Sequence, residues 1–342
     1  MRTRAAVAVS IVMAATATLG AAGPTPRESD ESDAPEGTEE LFQVDDPRIV
    51  QSSGLAVSGR HDDIYWTHND SGDFPAEIYA VNGEGGTEAT VTLSGPEVEA
   101  RDWEAIAAGV DDSGDPALYV GDIGDNFQGA WPDIRIYRLA EPDKLVDQTV
   151  EVETFTLRFE DGARDAEGLL VDPRDNRVYV VSKEVAGGIY AAPETLDPDA
   201  TNELTRVGSA PLYSTDAAFS PDGSHYAIRT YWAATVYDAT EGVPGASTTQ
   251  VGLPESEQGE SLAFTPDGSA LLAGSEGETS PVWSVPLPEE ATAADKDGDT
   301  PESEPTASAE GDQSGGASAL IWGGVGVAAV VIAGIVLLVR RS

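Results

Sequence analysis

Short runs of Val, Ile, Leu, Tyr, Phe and Thr recur between Leu41 and Pro288, each broken by Gly, Pro, Asp or Asn. That punctuation predicts strands, and no long stretch of the span has a helical period. Five runs resemble one another: SSGLAVS (52–58), DWEAIAAG (102–109), DAEGLLVD (165–172), TDAAFSPD (215–222) and GESLAFTPD (259–267). Aligned on Ser53, Glu104, Glu167, Asp216 and Glu260, they are spaced by 51, 63, 49 and 44 residues. A repeat of about 40–50 residues with four strands per unit predicts propeller blades. In the third unit AEGLLVD is followed by RVYVVSK, GGIYAA and ELTRVGS; in the fourth, DAAFS is followed by HYAIRTY, ATVYDA and TTQVGL. The first hairpin turns are Pro-Asp-Gly (221–223 and 266–268) or Asp-Pro-Arg-Asp-Asn (172–176), residues suited to tight turns. A linker from Glu141 to Gln148 lengthens the second unit, and the fifth ends after PVWSVPL (281–287), one strand short. Leu41–Val50 offers a spare strand before the first unit. The expected fold is an all-β, five-bladed β-propeller whose N-terminal strand closes the last blade and leaves no bare edge.

The chain ends add three expectations. Arg2 and Arg4, an apolar run from Ala5 to about Ala15, and Gly20-Ala21-Ala22 read as a signal peptide over residues 1–22. Residues 23–40 and 289–318 are rich in Glu, Asp, Ser and Pro and bury too little to repay ordering, so they read as disordered, the second as a stalk. Ala319–Val339 carries no charge and no proline, and as a helix it reaches roughly 32 Å, enough for a bilayer core. Arg340 and Arg341 follow, which predicts one C-terminal transmembrane helix with a cytoplasmic tail (340–342) and an extracellular propeller at 41–288.

Composition narrows the chemistry. The chain has no cysteine, which removes disulfides, zinc–thiolate sites and lipidated cysteine. Its 61 acidic and 19 basic residues give a formal charge of −42, a poor match for nucleic acid. The first strand of each blade lines a propeller axis, so Ser53, Glu104, Glu167, Asp216 and Glu260 are expected to meet at one mouth of the channel. Like charges held close and dry must be protonated, hydrated or paired with a cation. An oxygen-only ring suits one Ca²⁺.

This pattern of Ser, Glu, Glu, a polar residue and Glu at the start of successive inner strands resembles the calcium-activated apyrases, secreted five-bladed propellers with Ca²⁺ on the axis. Asp216 departs from the hydroxyl residue of that family, and the rest of the apyrase active-site pattern is not seen. The motifs HNDSG (68–72), DWEAIA (102–107), GDIGDN (121–126), DAEGLLVDP (165–173) and QGESLAF (258–264) look like those of uncharacterised exported propellers of actinobacterial type. More loosely, the chain is similar to phytase-like and esterase-like propellers.

The loops expected on the same face carry Asn69, Asp70, Asp122, Asp125 and Asn126, together with Arg101, Arg164, Lys183 and Arg229. Beside a divalent cation these bases would hold an anionic group; the plainer alternative is that each pairs with a neighbouring carboxylate. Three functions follow: a surface module binding a ligand or partner, a calcium-dependent hydrolase of phosphate or carboxylic esters, or a scaffold with no small-molecule site.

Overall fold

The computed structural model describes residues 34–70, 72–126, 130–256, 258–288 and 291. The expected signal peptide, most of the first acidic segment, all of the stalk but Ala291, the transmembrane helix and the tail lie outside them. Among the described residues no helix is long and apolar enough to cross a membrane.

The described residues form 21 strands. β1 is Glu39–Gln43. A first unit holds β2 (Ser52–Val57), β3 (Ile64–Asn69), β4 (Glu77–Asn82) and β5 (Thr87–Ser94). A second holds β6 (Trp103–Val110), β7 (Pro116–Asp122), β8 (Ile134–Ala140) and β10 (Glu153–Phe159), with β9 (Gln148–Glu151) between its last two strands. A third holds β11 (Ala166–Val171), β12 (Val178–Ser182), β13 (Gly188–Ala191) and β14 (Thr201–Ser209). A fourth holds β15 (Ser214–Phe219), β16 (His225–Thr230), β17 (Ala233–Asp238) and β18 (Ser247–Gly252); the last holds β19 (Leu262–Phe264), β20 (Ala270–Ala273) and β21 (Pro281–Pro286).

Each unit is an antiparallel meander in chain order, and β1 pairs with β21 to complete the last one. The first strands touch in a closed cycle, β2 to β6 to β11 to β15 to β19 and back to β2. One apolar cluster sits at each junction. Phe42, Leu55, Tyr65 and Leu272 join last to first, for example, and Leu170, Val181, Tyr226 and Ile228 join third to fourth. This is propeller-type all-β architecture. Strands near the centre, such as β3, β11 and β12, are buried throughout because both sheet faces meet a neighbouring unit. The outer β14 and β18 are largely exposed.

Two features depart from the expected layout. The closing strand is short: it starts at Glu39 and pairs only to Gln43, with Leu41 displaced between Glu40 and Phe42. The linker after β8 also gains a strand, because β9 adds in parallel to the outer edge of β5, and β10 pairs in parallel with β14. Glu141 anchors the crossing. It is buried and accepts hydrogen bonds from Trp66 Nε1 (2.7 Å), Gly59 N (3.0 Å) and Ser58 Oγ.

The first hairpins turn at Gly223 (φ +71°) and Gly268 (φ +70°), where a side chain would strain the backbone. Asp222 and Asp267 brace these turns by accepting from Ser224 N (3.0 Å) and Ser269 N (3.1 Å).

Candidate functional site

The site begins with a backbone irregularity. In units one to four the register between the first two strands shifts at the aligned position: between Ser52 and Leu55, Trp103 and Ala105, Ala166 and Gly168, and Ser214 and Asp216. A bulge bends its strand and re-aims the side chain. Ser53, Glu104, Glu167, Asp216 and Glu260 are all buried, the last just ahead of β19. They do not share one role.

Ser53 Oγ donates to Glu104 O at 3.0 Å and to Glu104 Oε2 at 3.3 Å, bridging units one and two. Asp216 is a backbone clamp: Leu262 N of the next unit donates to its Oδ2 at 2.6 Å and Ala217 N to its Oδ1 at 2.7 Å. Glu167 Oε1 is ion-paired with Lys183 Nζ. Among the described residues, Glu167 Oε2 and both Glu260 oxygens accept no hydrogen bond of ordinary geometry. Lys183 lies close enough to bias both of these carboxyls toward their charged form, and its ammonium is 5.3 Å from the Tyr231 ring.

Burial pushes Glu104 well above the usual carboxylate range, and the charges of Glu167, Asp70 and Asp102 add to the rise. Burial likewise raises Glu167 and Glu260, against the pull of Lys183. It raises Asp216 well above its ordinary value although two backbone amides and Arg229 oppose it. Lys183 is raised by Glu167 and Glu260 although burial opposes the charge.

A second grouping was missed in the repeat alignment. Asp70 follows β3, Asp102 precedes β6, and Glu104 lies on β6; one carboxylate oxygen from each falls within 4.8 Å of the others. Asp102 and Glu104 are buried and Asp70 is half-buried. Among the described residues neither Asp102 nor Glu104 forms an ion pair. Asp102 takes neutral donors, Asn126 N and Asn126 Nδ2, each at 3.0 Å. Gly124 leaves the cradle open: a Cβ there would press on Glu104 Oε1 and sit 2.8 Å from Asp102 Oδ2. The legible signal was the conjunction of HND, RDWE and GDIGDN, three motifs from two adjacent units.

The remaining loop residues serve the scaffold. Asn69 accepts from Val50 N (2.9 Å) and Gln51 N (3.0 Å) and donates to Arg48 O (2.8 Å). Asp122 accepts from Arg101 Nε (2.7 Å) and Asp102 N (3.0 Å). Asp125 Oδ2 accepts from Trp131 N at 3.0 Å, and Asp125 N donates to Asp165 at 2.8 Å.

The four bases expected on this face all engage protein acceptors. Arg101 pairs with Asp122 and lies 4.9 Å from the Trp131 ring. Arg164 pairs with Glu184 (2.5 Å) and Asp161 (2.8 Å). Lys183 pairs with Glu167. Arg229 is buried and donates to Gly274 O at 2.8 Å and to Ser261 O.

Trp103 is core: its Nε1 donates to Glu99 O at 2.9 Å and its ring packs against His68 and Tyr137. Burial holds His68 neutral, down to about 4.

No family model matches the chain, and no curated protein matches it. A solved gluconolactonase from Xanthomonas campestris is similar at 17% identity, with 69% of this chain and 72% of that one covered and a TM-score of 0.41.

Proposed function

We propose that this chain is a five-bladed propeller held outside the cell by residues 319–339, with one divalent cation bound between the first two blades and a binding surface on the surrounding loops. One observation carries the cation: the Asp70–Asp102–Glu104 grouping, drawn from two units. Two of its members are buried with only neutral donors among the described residues, an arrangement that is costly unless protonated or ligated. The Gly124 cradle and the all-oxygen donor set fit a hard cation such as Ca²⁺. Ser53 steadies Glu104, and Asn126 orients Asp102. Glu167 and Glu260 already have Lys183 as an internal counter-charge, so the ion belongs with the triad rather than with all five aligned residues.

The engaged state of Arg101, Arg164 and Arg229 favours binding over a basic pocket for phosphate. Hydrolysis of phosphate or carboxylic esters is the second reading, favoured by Glu276. This half-buried carboxyl is raised to about 7 by burial and by the charges of Glu260 and Asp70, which suits proton exchange at neutral pH. A bound divalent cation would supply charge stabilisation beside it.

The test is metal analysis of the full chain followed by calorimetric titration with Ca²⁺. One ion per chain is expected, lost in Asp102→Asn and Glu104→Gln. No uptake by the folded wild-type chain would overturn the reading. A panel of aryl phosphates, esters and lactones then separates the two functions, since turnover dependent on Glu276 belongs only to the second.

A further inference from the structure

Among the described residues, seven large hydrophobic side chains are exposed, and four of them come from the loops of two adjacent units: Val185 (70% exposed), Leu212 (48%), Tyr213 (41%) and Trp232 (67%). Backbone contacts gather them. Tyr213 N donates to Glu184 O at 3.1 Å, seating Leu212 and Tyr213 beside Val185. Ser214 pairs with Thr230 across β15 and β16, which brings Tyr213 next to Tyr231. The Tyr231 and Trp232 rings stand 5.8 Å apart at 69°.

Tyr213 reaches this position with φ at +53°, a conformation that strains a bulky residue. Strain of this kind persists where the surroundings impose it, and it clusters at functional sites. The floor beneath is firm, because Tyr231 rests against the Lys183 ammonium, which is itself tied to Glu167.

We infer that these loops of units three and four are the docking surface for a partner protein, and that the docked segment carries Arg or Lys beside apolar side chains. Trp and Tyr dominate the energetics of protein interfaces, and adjoining exposed apolar residues mark such sites. Charge selects the occupant. The carboxylate bordering the patch is the exposed Glu255, two residues after Leu253, whose N–H donates to Trp232 O at 3.0 Å; Glu184, next to Val185, is already paired with Arg164. A second copy would bring another −42 charges, and an anionic bilayer would be repelled in the same way. A basic segment is attracted to the rim while its apolar side chains cover Trp232 and Leu212. This inference rests on the loop-face part of the proposed function and does not need the cation.

The test uses three short fluorescein-labelled peptides: Arg and Leu interleaved, Arg and Ser interleaved, and Glu and Leu interleaved. Anisotropy is read with the full chain, with and without Ca²⁺. The Arg/Leu peptide is expected to bind at least about ten-fold tighter than either control, more weakly as NaCl rises, and to lose about ten-fold in Trp232→Ala and in Leu212→Ser. Both residues are exposed, so the variants keep the fold, which circular dichroism verifies.

Equal affinity for the Arg/Leu and Arg/Ser peptides overturns the inference, as does indifference to both variants. Loss of self-association in Trp232→Ala, or loss of binding to vesicles of phosphatidylcholine and phosphatidylserine, would overturn it in favour of a second copy or a bilayer. Peptide binding that persists in a chain taking up no Ca²⁺ would sink the cation alone; Ca²⁺ uptake without peptide binding would sink only this surface.

Discussion

Removing calcium is expected to do more than lower the melting temperature: the loss should grow with pH. Glu104, Glu167 and Asp216 all have carboxyls raised by burial in the folded chain. Without the ion, the folded chain holds protons that the unfolded chain releases above its ordinary carboxylate range. Their stabilisation is therefore complete below that range and is lost as pH rises through the raised values. A cation at Asp70, Asp102 and Glu104 needs ionised ligands, so it binds better at higher pH and expels protons as it binds. With 10 mM Ca²⁺ and a Kd of about 10⁻⁴ M, in the range of extracellular modules, binding adds about 2.7 kcal/mol. For a domain of this size each kcal/mol is worth roughly 2–4 °C, so the melting temperature should rise by about 5–11 °C. The assay is differential scanning calorimetry in EDTA and in Ca²⁺ at pH 5, 6.5 and 8. The increment should be largest at pH 8 and smallest at pH 5. An increment that is absent, or the same at all three pH values, would refute the reasoning.

Other outcomes follow from single contacts. Gly124→Ala should weaken Ca²⁺ binding by about ten-fold, because the added methyl presses on Glu104 and Asp102; titration calorimetry reads it. Phe42→Ala should cost about 3–5 kcal/mol in urea unfolding, since Phe42 is the buried residue of the closing strand and packs 5.0 Å from Tyr65. Glu141→Ala should cost about 2–4 kcal/mol by the same assay, because Trp66 Nε1, Gly59 N and Ser58 Oγ lose a common acceptor. Glu276 is raised to about 7, so its contribution is complete below pH 4.5 and disappears as pH rises through 7; Glu276→Gln should flatten stability between those values.

The repeated inner strands were legible because they are nearly continuous apolar runs, each bounded by Asp, Gly or Pro. β9 was not. Its sequence QTVE is polar and half-exposed, and its partner β5 lies more than 50 residues earlier, in another unit. Glu104 emerged from the repeat alignment, but Asp70 and Asp102 did not join it as ligands. An alignment takes one residue per repeat, whereas the triad draws on a strand exit, a strand entry and an inner strand from two neighbouring units. The clamp made by Asp216 was equally invisible, since nothing in DAAF marks a carboxylate as the acceptor for Leu262 N of the next unit. Whether a guanidinium on these loops faces a ligand or a neighbouring aspartate depends on side-chain geometry. For Arg101 that neighbour is Asp122, at 2.7 Å.

Anomalous diffraction from crystals of the chain grown with Mn²⁺ or Tb³⁺ in place of Ca²⁺ would locate the ion outright. One peak is predicted within bonding distance, about 2.0–2.6 Å, of oxygens from Asp70, Asp102 and Glu104 together. A peak seated instead between Glu167 and Glu260, with Lys183 swung away, or no peak in the channel mouth at all, would contradict the account.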